Sequence, residues 1–194
     1  MPRAFAGRIP PSRFSPSFLL FLVLASGLSS GQVTDLRGQP KYPLSDHEKI
    51  HVLLFVRTDC PITNRYAPEL GRIAGQFSPS GVDFWLVYSA AAETAPVVAE
   101  HIRQYHFPGT ALLDPRHELA QDAHATVAPE AAVFDRSGRL QYLGRIDDRW
   151  ISFGKSRPQP TVHDLNAAIT AVLAGKTPPE QRTRAIGCSL EDVR

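Results

Sequence analysis

Val52-Leu53-Leu54-Phe55-Val56-Arg57-Thr58-Asp59-Cys60-Pro61-Ile62-Thr63-Asn64-Arg65-Tyr66-Ala67-Pro68-Glu69-Leu70 changes character halfway. Its first five residues are apolar without alternation, the pattern of a strand buried on both faces. The run breaks at Thr58-Asp59, and Cys60 and Pro61 follow. Beyond them the apolar spacing is helical. Proline suits the first helical position, where its missing N–H has no partner to lose. Cys60 is therefore expected at a helix N-terminus, just past the carboxyl end of a central strand. Free backbone amides and the positive end of the helix dipole favour an anion there, and thiol pKa values fall at such positions. Ligands of open α/β sheets also gather beyond the carboxyl ends of strands. Asp59 opposes ionisation of the thiol, and Arg57 and Arg65 are the nearby charges able to offset it.

Outward from this unit the pattern alternates. A helix is expected over 61–77, with Pro68 kinking or dividing it. Ser78-Pro79-Ser80-Gly81 reads as a turn and Val82 to Tyr88 as a second buried strand. Helix 95–105, strand 110–113 and a short helix 118–123 follow. Strands 131–134 and 140–143 flank Asp135-Arg136-Ser137-Gly138-Arg139, a hairpin signal. Helix 161–174 carries Val162, Leu165, Ile169, Val172 and Leu173 on one side, and Gly175 stops it. The order β-α-β-α-β-α-β-β-α implies an α/β fold, a mixed central sheet with helices on both faces.

Residues 1–30 have the layout of a secretory leader: Arg3, Arg8 and Arg13, then an apolar core from Phe18 to Ala25, then small residues. Cleavage near residues 26–31 is expected, giving an exported protein, periplasmic or extracellular. The expected organisation is leader 1–30, one domain 31–175 and a tail 176–194 carrying Cys188. Of 21 basic and 19 acidic residues, three arginines and no acid lie in the leader, so the remainder carries a net charge of −1. That balance argues against nucleic acid and an anionic membrane surface as partners.

The strand-Cys-Pro-helix unit, Pro68 eight residues after the cysteine, and Val127-Ala128-Pro129 before a strand-turn-strand-helix resemble the thioredoxin fold. More narrowly, Asp59-Cys60-Pro61, Gly144-Arg145-Ile146-Asp147-Asp148 and Ile186-Gly187-Cys188 resemble exported redoxins of the alkyl hydroperoxide reductase/thiol-specific antioxidant (peroxiredoxin-like) group. The resemblance implies a cis Pro129 beside a reactive Cys60 that reagents can reach. It also implies thiol-dependent oxidoreductase activity on a small peroxide or a protein thiol or disulfide, with a thiol electron donor and no cofactor. Two positions depart from the pattern. Thr63 replaces the second cysteine of a CxxC pair, and Leu53 and Arg57 stand where peroxiredoxins carry Pro and Thr or Ser. Thr63, at the third helical position, can instead hydrogen-bond the Cys60 sulfur.

The chain has two cysteines, 128 positions apart. Two in an exported chain suggest one disulfide. A structural staple over such a loop adds about 4–5 kcal/mol in the chain-entropy picture. The redox alternative makes Cys60 the attacking thiolate and Cys188 its resolving partner through a sulfenic acid. The histidines, His47, His51, His101, His106, His117, His124 and His163, show no ligand spacing. His163 is the best candidate among them. A copper-binding module built from Cys60, Cys188 and a histidine is the second class of function, since soft ligands suit Cu(I). A degenerate redoxin serving only protein contacts is the third. Asp147-Asp148, in the loop 145–160, is expected to be solvated, and Trp150 and Phe153 in the same loop are open to either core or partner.

Overall fold

The computed structural model describes Met1 and residues 33–190. Except for Met1, the leader lies outside the described residues. Strand β1 (Ile50–Val56) is buried along its whole length. It passes through Cys60 into helix α1 (Pro61–Phe77). Strand β2 (Val82–Tyr88), helix α2 (Ala95–Tyr105), strand β3 (Thr110–Leu113) and helix α3 (Glu118–Ala123) follow. Next come β4 (Val127–Ala128), β5 (Glu130–Phe134) and β6 (Leu140–Gly144). A small hairpin, β7 (Trp150–Ser152) and β8 (Lys155–Ser156), precedes helix α4 (Asp164–Leu173), and the tail forms β9 (Cys188–Ser189).

The central sheet has the order β3-β2-β1-β5-β6. β1 pairs parallel with β2, Leu54 opposite Leu86, and antiparallel with β5, Leu54 opposite Ala131. The parallel connections β1–α1–β2 and β2–α2–β3 run in one direction across the sheet, and right-handed crossovers lay α1 and α2 on one face; α3, which leads to the antiparallel β5, covers the other. Val52, Leu54 and Val56 accordingly pack with Ile62, Leu70 and Ile73 of α1, Val98 of α2 and Ile169 of α4. Leu53 and Phe55 point the other way, toward Leu119 and Ala123 of α3. A strand buried on both faces must be apolar at every position, which is why β1 shows no alternation.

Two expectations are corrected. Helix α1 continues undivided through Pro68. Pro68 is exposed, where a carbonyl that lacks its N–H donor can be hydrated. Asp147 and Asp148 are buried rather than solvated. The Asp148 carboxylate accepts from the amide and hydroxyl of Thr161, both at 2.6 Å, and from the Val162 amide at 3.0 Å. Those bonds tie 161–162 to the loop, so α4 starts at Asp164 rather than Thr161. The tail adds a strand that the sequence does not signal: 188–189 runs antiparallel to β4, with Cys188 opposite Ala128.

Candidate active site

Cys60 caps α1 in extended conformation, with Pro61 opening the helix and no acidic residue in its first turn. The loop before it is held from below. The buried Glu93 carboxylate accepts from the Thr58 amide at 2.8 Å and the Ala90 amide at 3.1 Å. A second chain of contacts runs from Tyr88 through His101 and Asn64 to the Thr58 carbonyl, at 2.9, 2.7 and 3.4 Å. Burial lowers the His101 pKa, so its ring is neutral. Asn64 Oδ1 can only accept, which puts the ring proton on Nε2 and leaves Nδ1 to accept from the Tyr88 hydroxyl. Glu93 and His101 carry no signal in the sequence that ties them to Cys60.

The Ala128–Pro129 bond is cis. The Ala128 carbonyl lies 3.1 Å from Cys60 Sγ, where it accepts from the thiol. Cys188 Sγ is 2.7 Å from Cys60 Sγ. Both cysteines are free, and the strand pair β4–β9 brings them together. Tail and cis-proline loop meet so closely that a Cβ on Gly187 would lie 2.1 Å from the Ala128 carbonyl oxygen.

Cys60 is 0% exposed, which corrects the expectation of an open thiol. The cover is not a wall of core side chains alone; it includes the tail, whose Cys188 is half-buried. Arg57 fastens that cover: it donates to both Asp59 oxygens, at 2.9 and 2.8 Å, and to the Ser189 carbonyl at 2.9 Å. It thereby neutralises Asp59 beside the thiol, whereas Arg65 lies over the Trp150 ring at 5.7 Å.

Burial pushes the Cys60 thiol up, but the Cys188 S–H, the Thr63 amide and hydroxyl, and the Cys188 amide together pull it below the ordinary value. The Thr63 hydroxyl is buried and has no other partner, so an ionised Cys60 sulfur is the acceptor it lacks. Burial, donation to Cys60 and the negative charges of Cys60 and Asp59 push Cys188 up to about 12. The pair is thus polarised: Cys60 gives up its proton more readily than Cys188.

Among the described residues, one group of three ligand-type side chains converges, Glu69, Asp147 and His163, within 4.8 Å. It does not include the cysteines. Arg72 already donates to both Glu69 oxygens, at 2.9 and 2.6 Å, and so supplies the positive charge there. His163 is thereby separated from the sulfurs it would join in a copper site.

A mixed sheet with this order, a helix capped by cysteine and a cis proline against that cysteine define a thioredoxin-like redoxin. The Redoxin family profile matches residues 31–169, and the chain belongs to that family. An uncharacterized conserved protein from Geobacillus kaustophilus is similar, with 26% identity and a TM-score of 0.67 over 82% of this chain and 86% of that one. A hypothetical protein from Sinorhizobium meliloti shares 25% identity at a TM-score of 0.69, over 82% and 88% of the two chains. A secreted Mycobacterium tuberculosis disulfide oxidoreductase shares the fold, at 20% identity and a TM-score of 0.50 over 74% and 93%. No protein of curated function matches the chain.

Proposed function

We propose that the protein is a thiol-dependent oxidoreductase in which Cys60 and Cys188 cycle between dithiol and disulfide. One observation carries this reading: two sulfurs 128 positions apart lie 2.7 Å from each other at a helix N-terminus. A structural staple needs no such polarisation of its thiols. Cys60 supplies the thiolate, which Thr63 and the α1 amides stabilise, and Pro129 fixes the Ala128 carbonyl against its sulfur. When the tail lifts, the thiolate attacks one sulfur of a partner disulfide; a Cys60–partner bond forms and the second partner sulfur leaves as thiolate. Cys188 then attacks Cys60 Sγ, closing the internal disulfide, releasing the other partner sulfur and giving up its proton.

Thiol–disulfide exchange is favoured over peroxide reduction. Arg57, the basic residue nearest Cys60 in sequence, is engaged by Asp59 and Ser189, and Leu53 and Arg57 stand where peroxide-binding relatives carry Pro and Thr or Ser. The mycobacterial neighbour, a disulfide oxidoreductase, agrees in kind. Export belongs to the same reading. Its support is the leader-like layout of residues 1–30. The test is mass spectrometry of non-reduced protein after treatment with a disulfide donor. A Cys60–Cys188 bond is expected; two thiols that never pair sink the proposal.

A further inference from the structure

The β7–β8 hairpin presents two large apolar side chains to water: Ile151 is 45% and Phe153 65% exposed. Both line a groove of ≈ 850 Å³ whose other wall is the tail from Arg182 to Gly187. Arg182 and Arg184 are exposed on that wall. Glu130, also in the lining, accepts from the Thr126 and Val127 amides and offsets part of the Arg182 charge, while Arg184 adds a second positive charge at the rim. The groove runs to Gly187, the residue before Cys188. Of the two sulfurs, only that of Cys188 belongs to a residue with solvent exposure, while Cys60 is sealed. A peroxide has no use for a trough of this size. An extended chain with apolar side chains for Ile151 and Phe153, and carboxylates for the arginines, fills it.

Resting on the redox reading above, we infer that this groove docks an extended, acidic polypeptide bearing thiols, a molecule distinct from the disulfide that Cys60 reduces, and that this thiol donor becomes joined to Cys188 rather than Cys60. In the oxidised protein the partner's thiolate attacks Cys188 Sγ. A partner–Cys188 bond forms, the Cys60–Cys188 bond breaks, and its electron pair leaves on Cys60, the sulfur that Thr63 and the helix amides stabilise. Thiols of low pKa leave faster. A second partner thiolate attacks the partner's own sulfur in the mixed disulfide and releases Cys188, which takes up a proton. The partner's two thiols are oxidised by two electrons and the internal disulfide is reduced by the same two.

The experiment starts from the full chain oxidised with diamide. It is mixed with a limiting amount of a short peptide that holds one cysteine among glutamates and a leucine, quenched with iodoacetamide, and mapped by mass spectrometry. The peptide is expected on Cys188 and the alkyl group on Cys60. Phe153→Ser, a change at the surface, is expected to lower the ratio of peptide to glutathione reaction rates about tenfold, as loss of a buried aromatic anchor does. The double variant Arg182→Glu, Arg184→Glu is expected to lower the same ratio. Peptide found on Cys60, or a ratio unmoved by Phe153→Ser, overturns the inference. A chain in which diamide forms no internal disulfide overturns the redox reading itself, a distinguishable failure.

Discussion

Gly187→Ala tests whether contact between the tail and the cis-proline loop sets the chemistry. The added Cβ would sit 2.1 Å from the Ala128 oxygen, 2.5 Å from its carbon and 3.0 Å from Pro129 N. An ordinary carbon–oxygen contact needs about 3.4 Å, so one side must retreat by roughly 1 Å. Overpacking of this kind costs about 1–3 kcal/mol even after the surroundings shift. Beyond Thr183, which is bonded to β6, the tail holds on by a two-residue ladder, the Leu190 amide on the Thr126 carbonyl and the Arg57–Ser189 bond, and such bonds contribute about 1 kcal/mol each. The cis-proline loop is anchored in the sheet through β5, so the tail gives way. Two readouts should move in opposite directions. The Cys60–Cys188 disulfide should weaken about tenfold or more against a glutathione buffer, the equivalent of about 1.4 kcal/mol. Alkylation of reduced Cys60, now uncovered, should accelerate by a similar factor. If neither changes, the tail is not what covers Cys60, and the argument fails.

Other outcomes follow from the same geometry. Arg57→Ala frees the Ser189 carbonyl and leaves Asp59 uncompensated beside the sulfur, so the Cys60 thiol pKa should rise and tail protection fall; pH-dependent alkylation reads both, and Asp59→Asn in the same background should restore the pKa alone. Thr63→Val keeps the shape but removes the donor to the thiolate, and should raise the Cys60 pKa by about one unit in thiolate ultraviolet titrations. Asp148→Ala should cost about 2–4 kcal/mol in urea unfolding at neutral pH, because it strands the Thr161 and Val162 donors. Although burial opposes it, those donors hold the Asp148 carboxyl well below the usual range. Its contribution is therefore complete above about pH 4, the unfolded value, and is lost as pH falls through the lower folded value. The gap between wild type and variant should close in acid.

The sequence makes β1, α1 and the place of Cys60 legible because their signals are local: an unbroken apolar run, then proline at the first helical position. Pro129 is legible only through family resemblance, since nothing in Val127-Ala128-Pro129 itself demands a cis bond. The cover over Cys60 is not legible. Cys188-Ser189 is too short to read as a strand, and its partner lies some sixty residues earlier in the chain, at Val127-Ala128. Asp147 and Asp148 read as solvated because charge usually is; their burial depends on Tyr66, which donates to Asp147 at 2.5 Å, and on Thr161. Nothing in the sequence marks Glu93, yet its carboxylate holds the Thr58 amide two residues before the thiol. Each miss is a long-range pairing that composition and periodicity do not encode.

The strand that shields Cys60 comes later in the chain than all the elements it rests upon. Synthesis from the N-terminus therefore produces every helix and the whole five-stranded sheet before Cys188 appears. Until the tail docks, the domain displays the Cys60 sulfur without its cysteine partner, open to whatever oxidant surrounds it. Arrival of Ile186-Gly187-Cys188 ends that exposure, so on the exchange reading proposed above the segment that resolves Cys60 also guards it in the freshly made protein.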